Sequence, residues 1–424
     1  MDLNTKDTKD AKEKDLRPLP DGWLWTTLGE TLKWGSGGTP LRSNPAYYDN
    51  GDIPWVIIGD LNDGVVTDTQ SKITQLGLKN SSAKWVEEGS VLIAMYGSIG
   101  KLGIAGRRLT TNQAIAFTKP DLVNAKYLFY YLMGERKNLL NLGAGATQQN
   151  ISQTVIKVYP FPLAPLAEQE RIVARLEELL SDLEAGVAAL GRVRAGVKRY
   201  KASMLKAACE GKLFGEKGIV NGELPEGWRW ATVGEVSQKI QYGTSEKASL
   251  DVSGIPVLRM GNVQDGELDY TNLKYLPEDI VPDNLILEPG DLIFNRTNSA
   301  ELVGKTAIYK RNYPKATFAS YLIRAQLIPD CSPDYVSYYI NSVHGRNYIY
   351  TVVSQQVGQA NVNGTKLANM PIPLPPADEQ RRIVAEVERR LESARAVESA
   401  VEAGLKRAGR LRQAVLQSAF EGRM

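Results

Sequence analysis

The sequence has 424 residues, 43% of them hydrophobic and 23% charged, enough to build two or three packed cores. Its apolar runs stop at strand length, short of the roughly 18 residues a membrane span needs, and two cysteines, Cys209 and Cys331, are too few for a disulfide framework. A net charge of +3 permits nucleic-acid binding without demanding it, so any basic face must be local.

Residues 1–15 are polar with mixed charge and carry no apolar stretch of the kind a signal peptide needs. A solvated, disordered tail and a cytoplasmic location are expected. From residue 16 to 165, short apolar runs such as "IPWVII", "SVLIAMYG" and "QAIAFT" alternate with Gly, Pro, Asn and Asp turns. This texture predicts the strands of a mixed α and β domain, with one helix around "AKYLFYYLMGERKNLL". A continuous helix follows over 166–213, introduced by prolines in "PFPLAPLAEQ" and acidic in its first turn. Ile172, Leu176, Leu179, Leu183, Leu190, Val193, Val197, Tyr200 and Met204 recur at alternating 4- and 3-residue steps, with Gly186 at the one small position. Such a seam predicts a coiled coil. About 45 residues at ~1.5 Å rise make a rod of roughly 65–70 Å, longer than a small domain is wide.

The remaining chain repeats the first part. "LPDGWLWTTLGE" from Leu19 returns as "LPEGWRWATVGE" from Leu224, and "IPWVIIGDLNDG" from Ile53 as "IPVLRMGNVQDG" from Ile255. "YLFYYL" at Tyr127 answers "YVSYYI" at Tyr335, and "KASMLKAACEGKL" from Lys201 answers "RQAVLQSAFEGRM" from Arg412. Two homologous units, 16–213 and 214–424, follow. In the second, "IPVLRM", "DLIFNRT" and "YLIRAQLI" predict strands over 214–376, and "PIPLPPADEQ" opens a second helix over 377–424. Its seam is Ile383, Val387, Leu391, Ala394, Val397, Val401, Leu405, Ala408, Leu411 and Val415. The natural partner of one seam is the other.

No self-sufficient active site can be assembled. His344 is the only histidine, which leaves a triad or multi-histidine metal site without partners, and a surface or capping role is expected for it. "SAELVGKT" has Ser299 where a phosphate-binding loop needs its first glycine. "NPAY" from Asn44 approaches an adenine methyltransferase signature, but Ala46 stands at its third position, and a proline-bearing turn is the better reading. A methyltransferase and a protein scaffold that never reads DNA remain the rival functions.

Paired mixed domains, each opened by the "GW" segment and followed by "PLAEQERIV" or "PADEQRRIV", resemble the specificity subunit of type I restriction–modification systems. "GGTP" at Gly37, "GSIGK" at Gly97 and "TNQAI" at Thr111 add to the resemblance. It implies an α+β fold of two homologous mixed α/β target recognition domains separated by two long antiparallel coiled-coil helices, pseudo-twofold symmetric. Each domain would read one half of a bipartite, asymmetric sequence in double-stranded DNA. The helices would set the spacing and dock two modification subunits, with ATP-dependent restriction subunits joining them. The resemblance further implies that this chain catalyses nothing and binds no cofactor, S-adenosylmethionine, ATP and Mg being expected on the partner subunits.

Phosphate contacts need cations, hydroxyls or backbone N–H groups, and base reading favours Arg on guanine and Asn or Gln on adenine. Loops with those residue types nominate Thr39, Arg42, Lys101, Arg107, Arg108, Asn112 and Gln113 in the first domain. In the second they nominate Tyr242, Thr244, Lys247, Arg259, Asn262, Arg296, Asn298 and Lys305. Gln148 and Gln359, just before each long helix, are added from "GATQQNIS" and "VGQANVNG". Trp23, Trp25, Trp228 and Trp230 recur at matched positions on a strand-like alternation and are expected to anchor the cores.

Overall fold

The computed structural model describes residues 17–143, 150–356 and 359–424, without the side chains of 355, 356 and 359; the tail expected over 1–15 lies outside them. The chain divides into two compact units, Met1–Leu190 together with Ala403–Met424, and Gly191–Glu402. No helix among the described residues is long and apolar enough to cross a membrane.

The strands of the first unit that matter here are β1 (Leu24–Thr27), β2 (Trp34–Ser36), β3 (Ile53–Val56), β4 (Gly64–Val66), β5 (Val91–Ala94), β6 (Leu102–Ala105), β7 (Leu109–Thr111) and β8 (Ile115–Thr118). Helix α1 (Ala125–Gly134), strand β9 (Pro160–Leu163) and the long helix α2 (Leu166–Cys209) follow. One sheet runs β2–β8–β5–β6–β4, and a smaller one is centred on the parallel pair β3–β7. The runs read from sequence as strands fall on β3, β5 and β8, because β-branched and aromatic side chains bounded by turn residues suit a half-buried pleat. The expected helix breaks at Glu135 into α1 and a short piece, Arg136–Asn141. Asn124 caps α1, its side-chain oxygen accepting from the N–H groups of Lys126 and Tyr127.

The "GW" segment forms β1, which pairs antiparallel with β9, the proline-rich run leading into α2. Prolines cannot donate to a ladder and so sit on such two-stranded edges. The outward carbonyl of Pro162 is taken up by the Tyr127 hydroxyl, which donates to it at 2.8 Å. The second unit repeats this device: β10 (Arg229–Thr232) pairs with β17 (Pro371–Leu374), and the Tyr335 hydroxyl donates to the Pro373 carbonyl at 2.6 Å. Between those strands lie β11 (Ser237–Tyr242), β12 (Ile255–Leu258), β13 (Leu292–Asn295), β14 (Thr306–Ile308), β15 (Thr317–Phe318), β16 (Leu322–Leu327) and helix α3 (Pro333–Asn341); helix α4 (Ala377–Ala419) follows β17. The main sheet is β11–β16–β13–β14, and β12 pairs in parallel with β15 as β3 does with β7.

Each unit contains one mixed domain, the N-terminal part of one long helix and the C-terminal part of the other. Within the first unit these parts run antiparallel, with Arg412 3.9 Å from Glu184 and Gly404 against the Leu190 side chain. Within the second, Lys201 reaches Glu398 at 2.5 Å and Arg194 stands 3.9 Å from Glu402. The helices fill the domain cores as well. Ile172, Val173, Leu176 and Leu180 of α2, with Leu416, Ala419 and Phe420, join Tyr127 and Phe161 in one cluster. Met204, Ala208, Cys209, Ile383 and Val387 do the same around Tyr335.

The seam read from sequence is only partly buried. Ile172, Leu176, Met204, Ile383, Val387, Ala394 and Val401 are buried, but Val193, Tyr200, Val397 and Leu411 are 42–51% exposed. The correction has a geometric cause. A two-helix pair covers one narrow stripe, and deep burial occurs where a domain packs on it as well. The tryptophan expectation is also corrected: Trp228, just before β10, is buried edge-on against Tyr335 with its indole N–H donating to Glu379, whereas Trp230, within the two-stranded ribbon, is 51% exposed.

Both long helices are fastened at their first turn by a buried glutamine. Gln169 accepts from the Asn124 N–H at 2.8 Å and donates to the Ala164 carbonyl at 2.8 Å. Gln380 accepts from the Ser332 N–H at 2.8 Å and donates to the Pro375 carbonyl at 2.9 Å. Each is 1% exposed. The glutamine therefore ties the start of each long helix to the cap of the domain helix behind it, with about 1 kcal/mol per hydrogen bond at stake.

Candidate nucleic-acid interface

The two domains share one backbone frame, visible bond by bond. Ala94 N–H donates to the Lys101 carbonyl, and Asn295 N–H to that of Lys305, each at 2.9 Å. Met95 and Arg296 occupy the next position, their N–H groups bonded to the carbonyls of Ala114 and Tyr321 at 2.8 and 3.1 Å. Their own carbonyls accept from Ile151 and Val362, each at 2.9 Å. Gly38 N–H donates to Thr111, and Thr244 N–H to Phe318, at 3.0 and 2.9 Å. The approach of these last segments is so close that a Cβ on Gly37 would stand 1.8 Å from the Thr111 carbonyl oxygen, and one on Gly243 2.1 Å from that of Phe318. Glycine is required at both places for that reason.

On this frame the nominated residues divide. In the first domain Thr39 and Gln113 are brought together across the "GGTP" and "TNQ" loops, the threonine hydroxyl donating to the glutamine side-chain oxygen. Arg42 and Arg107 are exposed, Lys101 half-exposed, and none makes a side-chain hydrogen bond or ion pair among the described residues. Arg108 is committed locally, with Nε donating to Glu87 at 3.0 Å and its guanidinium 4.4 Å over the Trp85 ring. Asn112 folds back on its own turn, accepting from the Ala114 N–H at 3.1 Å. Gln148 lies outside the described residues.

In the second domain Arg296 lies 4.9 Å over the Tyr242 ring, and its Nη1 donates to the Ser320 carbonyl at 3.2 Å. The Tyr242 hydroxyl accepts from the Gly364 N–H at 2.8 Å. Thr244 joins them through backbone, its carbonyl accepting from the Ser320 N–H at 2.7 Å. Arg259 lines a hollow of about 330 Å³ with Gly261, Asn272 and Tyr321, and its Nη2 donates to the Asn272 carbonyl at 2.6 Å. Lys247 is exposed with no side-chain partner among the described residues. Lys305 donates to Gln264 at 2.7 Å, and Asn298 accepts from the Ser299 N–H at 2.9 Å.

Asn262, nominated for an exposed amide, is 3% exposed and faces inward. Its oxygen accepts from the Arg259 N–H, and its nitrogen donates to the carbonyls of Asp269 and Thr271. Asp60 does the corresponding work for Ile57 in the first domain. Gln359 starts a strand, Gln359–Asn361, and nothing further is described of its side chain. Tyr321 was not among the nominated residues. It is 50% exposed in the "FASY" loop, and an aromatic ring in an otherwise small and polar loop was the available signal.

His344 follows the cap Ser342, its N–H donating to the Ser342 hydroxyl at 3.2 Å, and its Nε2 makes a part-buried contact with Glu210 at 2.9 Å. "NPAY" is a single turn capped by Asn44.

A duplicated mixed domain threaded by two long helices, with polar loops on a repeated frame, defines a class that comparison with known proteins makes specific. The family model described as the type I restriction modification DNA specificity domain matches twice, over residues 20–189 and 225–393. The chain is 26% identical over 433 residues to the type I restriction enzyme EcoKI specificity subunit of Escherichia coli (strain K12), covering 96% of this chain and 90% of that protein. It is 26% identical over 423 residues to the StySPI specificity subunit of Salmonella potsdam, again covering 96% and 90%. In fold it is similar to a solved chain of a type I R-M system (TM-score 0.75, 22% identity, covering 96% of this chain and all of that one). It is also similar to the HsdS subunit from Thermoanaerobacter tengcongensis (TM-score 0.54, 21% identity, covering 97% and 99%). The chain belongs to the type I restriction–modification DNA specificity family.

Proposed function

We propose that the chain is the sequence-specific DNA-binding subunit of a type I restriction–modification complex, each domain reading one half of a bipartite, asymmetric target. The observation that carries this reading is the repeated frame with unlike side chains on it. Matched hydrogen bonds hold Met95 and Arg296, and Ala114 and Tyr321, at equivalent places, and Gln113 and Ser320 directly precede the latter two. One scaffold bearing two sets of side chains suits two different half-sites. Exposed Arg42, Arg107 and Lys247 are suited to phosphates, which position a protein on DNA without reading it.

The long helices, each continuous over more than 40 residues, act in this reading as the ruler between half-sites and as docking surface for two modification subunits, with restriction subunits joining the assembly. Half-exposed Val193, Tyr200 and Val397 supply apolar area for such docking. S-adenosylmethionine, ATP and Mg belong on those partners, and the chain itself catalyses nothing.

Selection from a randomised duplex pool by the full chain tests the proposal. The expected product is two short constant motifs at a fixed separation, bound with an affinity that falls linearly in log–log form as salt rises. A pool without enrichment, or a salt-independent affinity, would leave a protein scaffold as the better reading. Paired one-heptad insertions after Leu190 and after Glu402 add about 10 Å to the rod. They are expected to widen the unread gap by roughly three base pairs at ~3.4 Å each and leave both motifs intact. A changed motif with an unchanged gap would contradict the ruler.

A further inference from the structure

Three positions on the shared frame change together between the domains. The ladder of the first domain pairs Ser36 with Ala116, and that of the second pairs Tyr242 with Ile323, so Tyr242 stands where Ser36 does. The matched bonds already described equate Arg296 with Met95 and Tyr321 with Ala114. Where the first domain has a hydroxymethyl, a buried thioether and a methyl, the second has a phenol, a guanidinium and a phenol. Met95 is 3% exposed, whereas Tyr242 and Tyr321 are 44% and 50% exposed.

Two half-exposed tyrosines beside an arginine are costly on a surface that faces only water, and one of them, Tyr242, sets the plane of the arginine. Tyr242 is itself held, its hydroxyl accepting from Gly364 N–H, and its ring lies under the Arg296 guanidinium. Of that guanidinium's nitrogens only Nη1 is bonded among the described residues, to the Ser320 carbonyl. Nε is sealed from solvent without an acceptor, so the edge left for a ligand is that of Nη1 and Nη2, the latter unbonded among the described residues. The free chain thus holds a planar donor fork, pre-oriented and not fully satisfied. A flexible, fully solvated cation would suffice for a phosphate. A stacked, planar fork matches paired acceptors lying in one plane, and in the major groove O6 and N7 of guanine are that pair.

We infer that the half-site of the second domain contains a guanine read by Arg296, with Tyr242 as the platform that sets the plane of the guanidinium. This rests on the proposed DNA-reading function, and the test separates the two. Duplex pools are selected with the full chain, with Arg296→Met, with Arg296→Lys and with Gln113→Ala. Methionine is what the first domain carries at the matched place, so the Met variant keeps a side chain the frame accommodates, and the Lys variant keeps the charge.

In the wild type one half-site should show a G·C pair preferred by roughly 5- to 150-fold over other pairs. In Arg296→Met that position alone should become degenerate. Arg296→Lys should bind more tightly than the Met variant but without the full preference. Gln113→Ala should leave that half-site untouched and alter only the other. A uniform loss of affinity with an unchanged motif would make Arg296 a phosphate contact and overturn the inference, as would degeneracy at a position that is not G·C. If the wild type enriches no bipartite sequence at all, the DNA-reading function itself fails.

Discussion

Replacing Asp291 by alanine is expected to lower the stability of the second unit by about 3–5 kcal/mol, because it strands a buried cation. Asp291 and Arg324 meet at 3.1 Å with both side chains 3% exposed. The arginine also donates to the carbonyls of Ile286 and Asn284 and to Gln241. Burial raises the Asp291 pKa above its ordinary value, against the pull of the backbone N–H of Glu288 and of Arg324. For an acid so shifted, the associated stability is complete below the unfolded pKa and is lost as pH rises through the folded one. The wild type should therefore lose stability over that acidic window by a slope that the alanine variant lacks.

The frame of the first domain carries no such pair. At the matched positions it has Ser90, Phe117 and, beneath the phenylalanine, Gly35. Transplanting that solution as Asp291→Ser, Arg324→Phe and Gln241→Gly should restore most of the loss, since well-packed apolar replacements of buried ion pairs are commonly neutral or better. The buried thiols report the result. Burial pushes Cys209 up to about 12 and Cys331 up to about 11, so both are protonated and shielded until the unit opens. Thiol labelling should accelerate in Asp291→Ala and slow again in the triple variant. Unchanged labelling in the single variant would mean that the pair contributes nothing.

The second large effect is in the first unit. Phe420 is 3% exposed and meets the rings of Tyr127 and Tyr131 edge-on, at 5.0 and 5.2 Å. Phe420→Ala should cost about 3–5 kcal/mol, combining lost transfer energy, a cavity and two edge-to-face contacts. Amide exchange in α1, which carries both tyrosines, should rise steeply, while α3 of the second unit is unaffected. Equal exchange in the variant and the wild type would show that α1 is held by the sheet alone.

How much of this was legible differed by level. The duplication, the strands β3, β5 and β8 with their counterparts, and both long helices followed from periodicity and self-similarity, because apolar spacing records burial directly. Burial along the rod did not follow from the seam. Heptad spacing says which residues share a stripe but not what else covers it, so Leu180 is buried and Val193 exposed. The helix starts were seen through their prolines and acids, yet Gln169 and Gln380 passed as ordinary first-turn residues. Their repetition at the same place in both copies was the signal, and only coordinates show the buried partners. Among the residues nominated for DNA contact, Thr39 with Gln113 and Tyr242 with Arg296 come together from segments chosen by residue type alone. Asn262 came from the same kind of loop and is buried, because an asparagine that satisfies its own turn has the same composition signature as one that faces DNA.

The first unit is discontinuous, closed by residues 403–424, whereas the second is a single stretch, 191–402. Synthesis from the N-terminus therefore completes them in reverse. The domain translated first waits with the slot between Tyr127 and Tyr131 uncovered until Phe420 leaves the ribosome, after every residue of the second unit has been made. Premature termination between residues 403 and 419 would thus spare the later module and leave the earlier one unsealed.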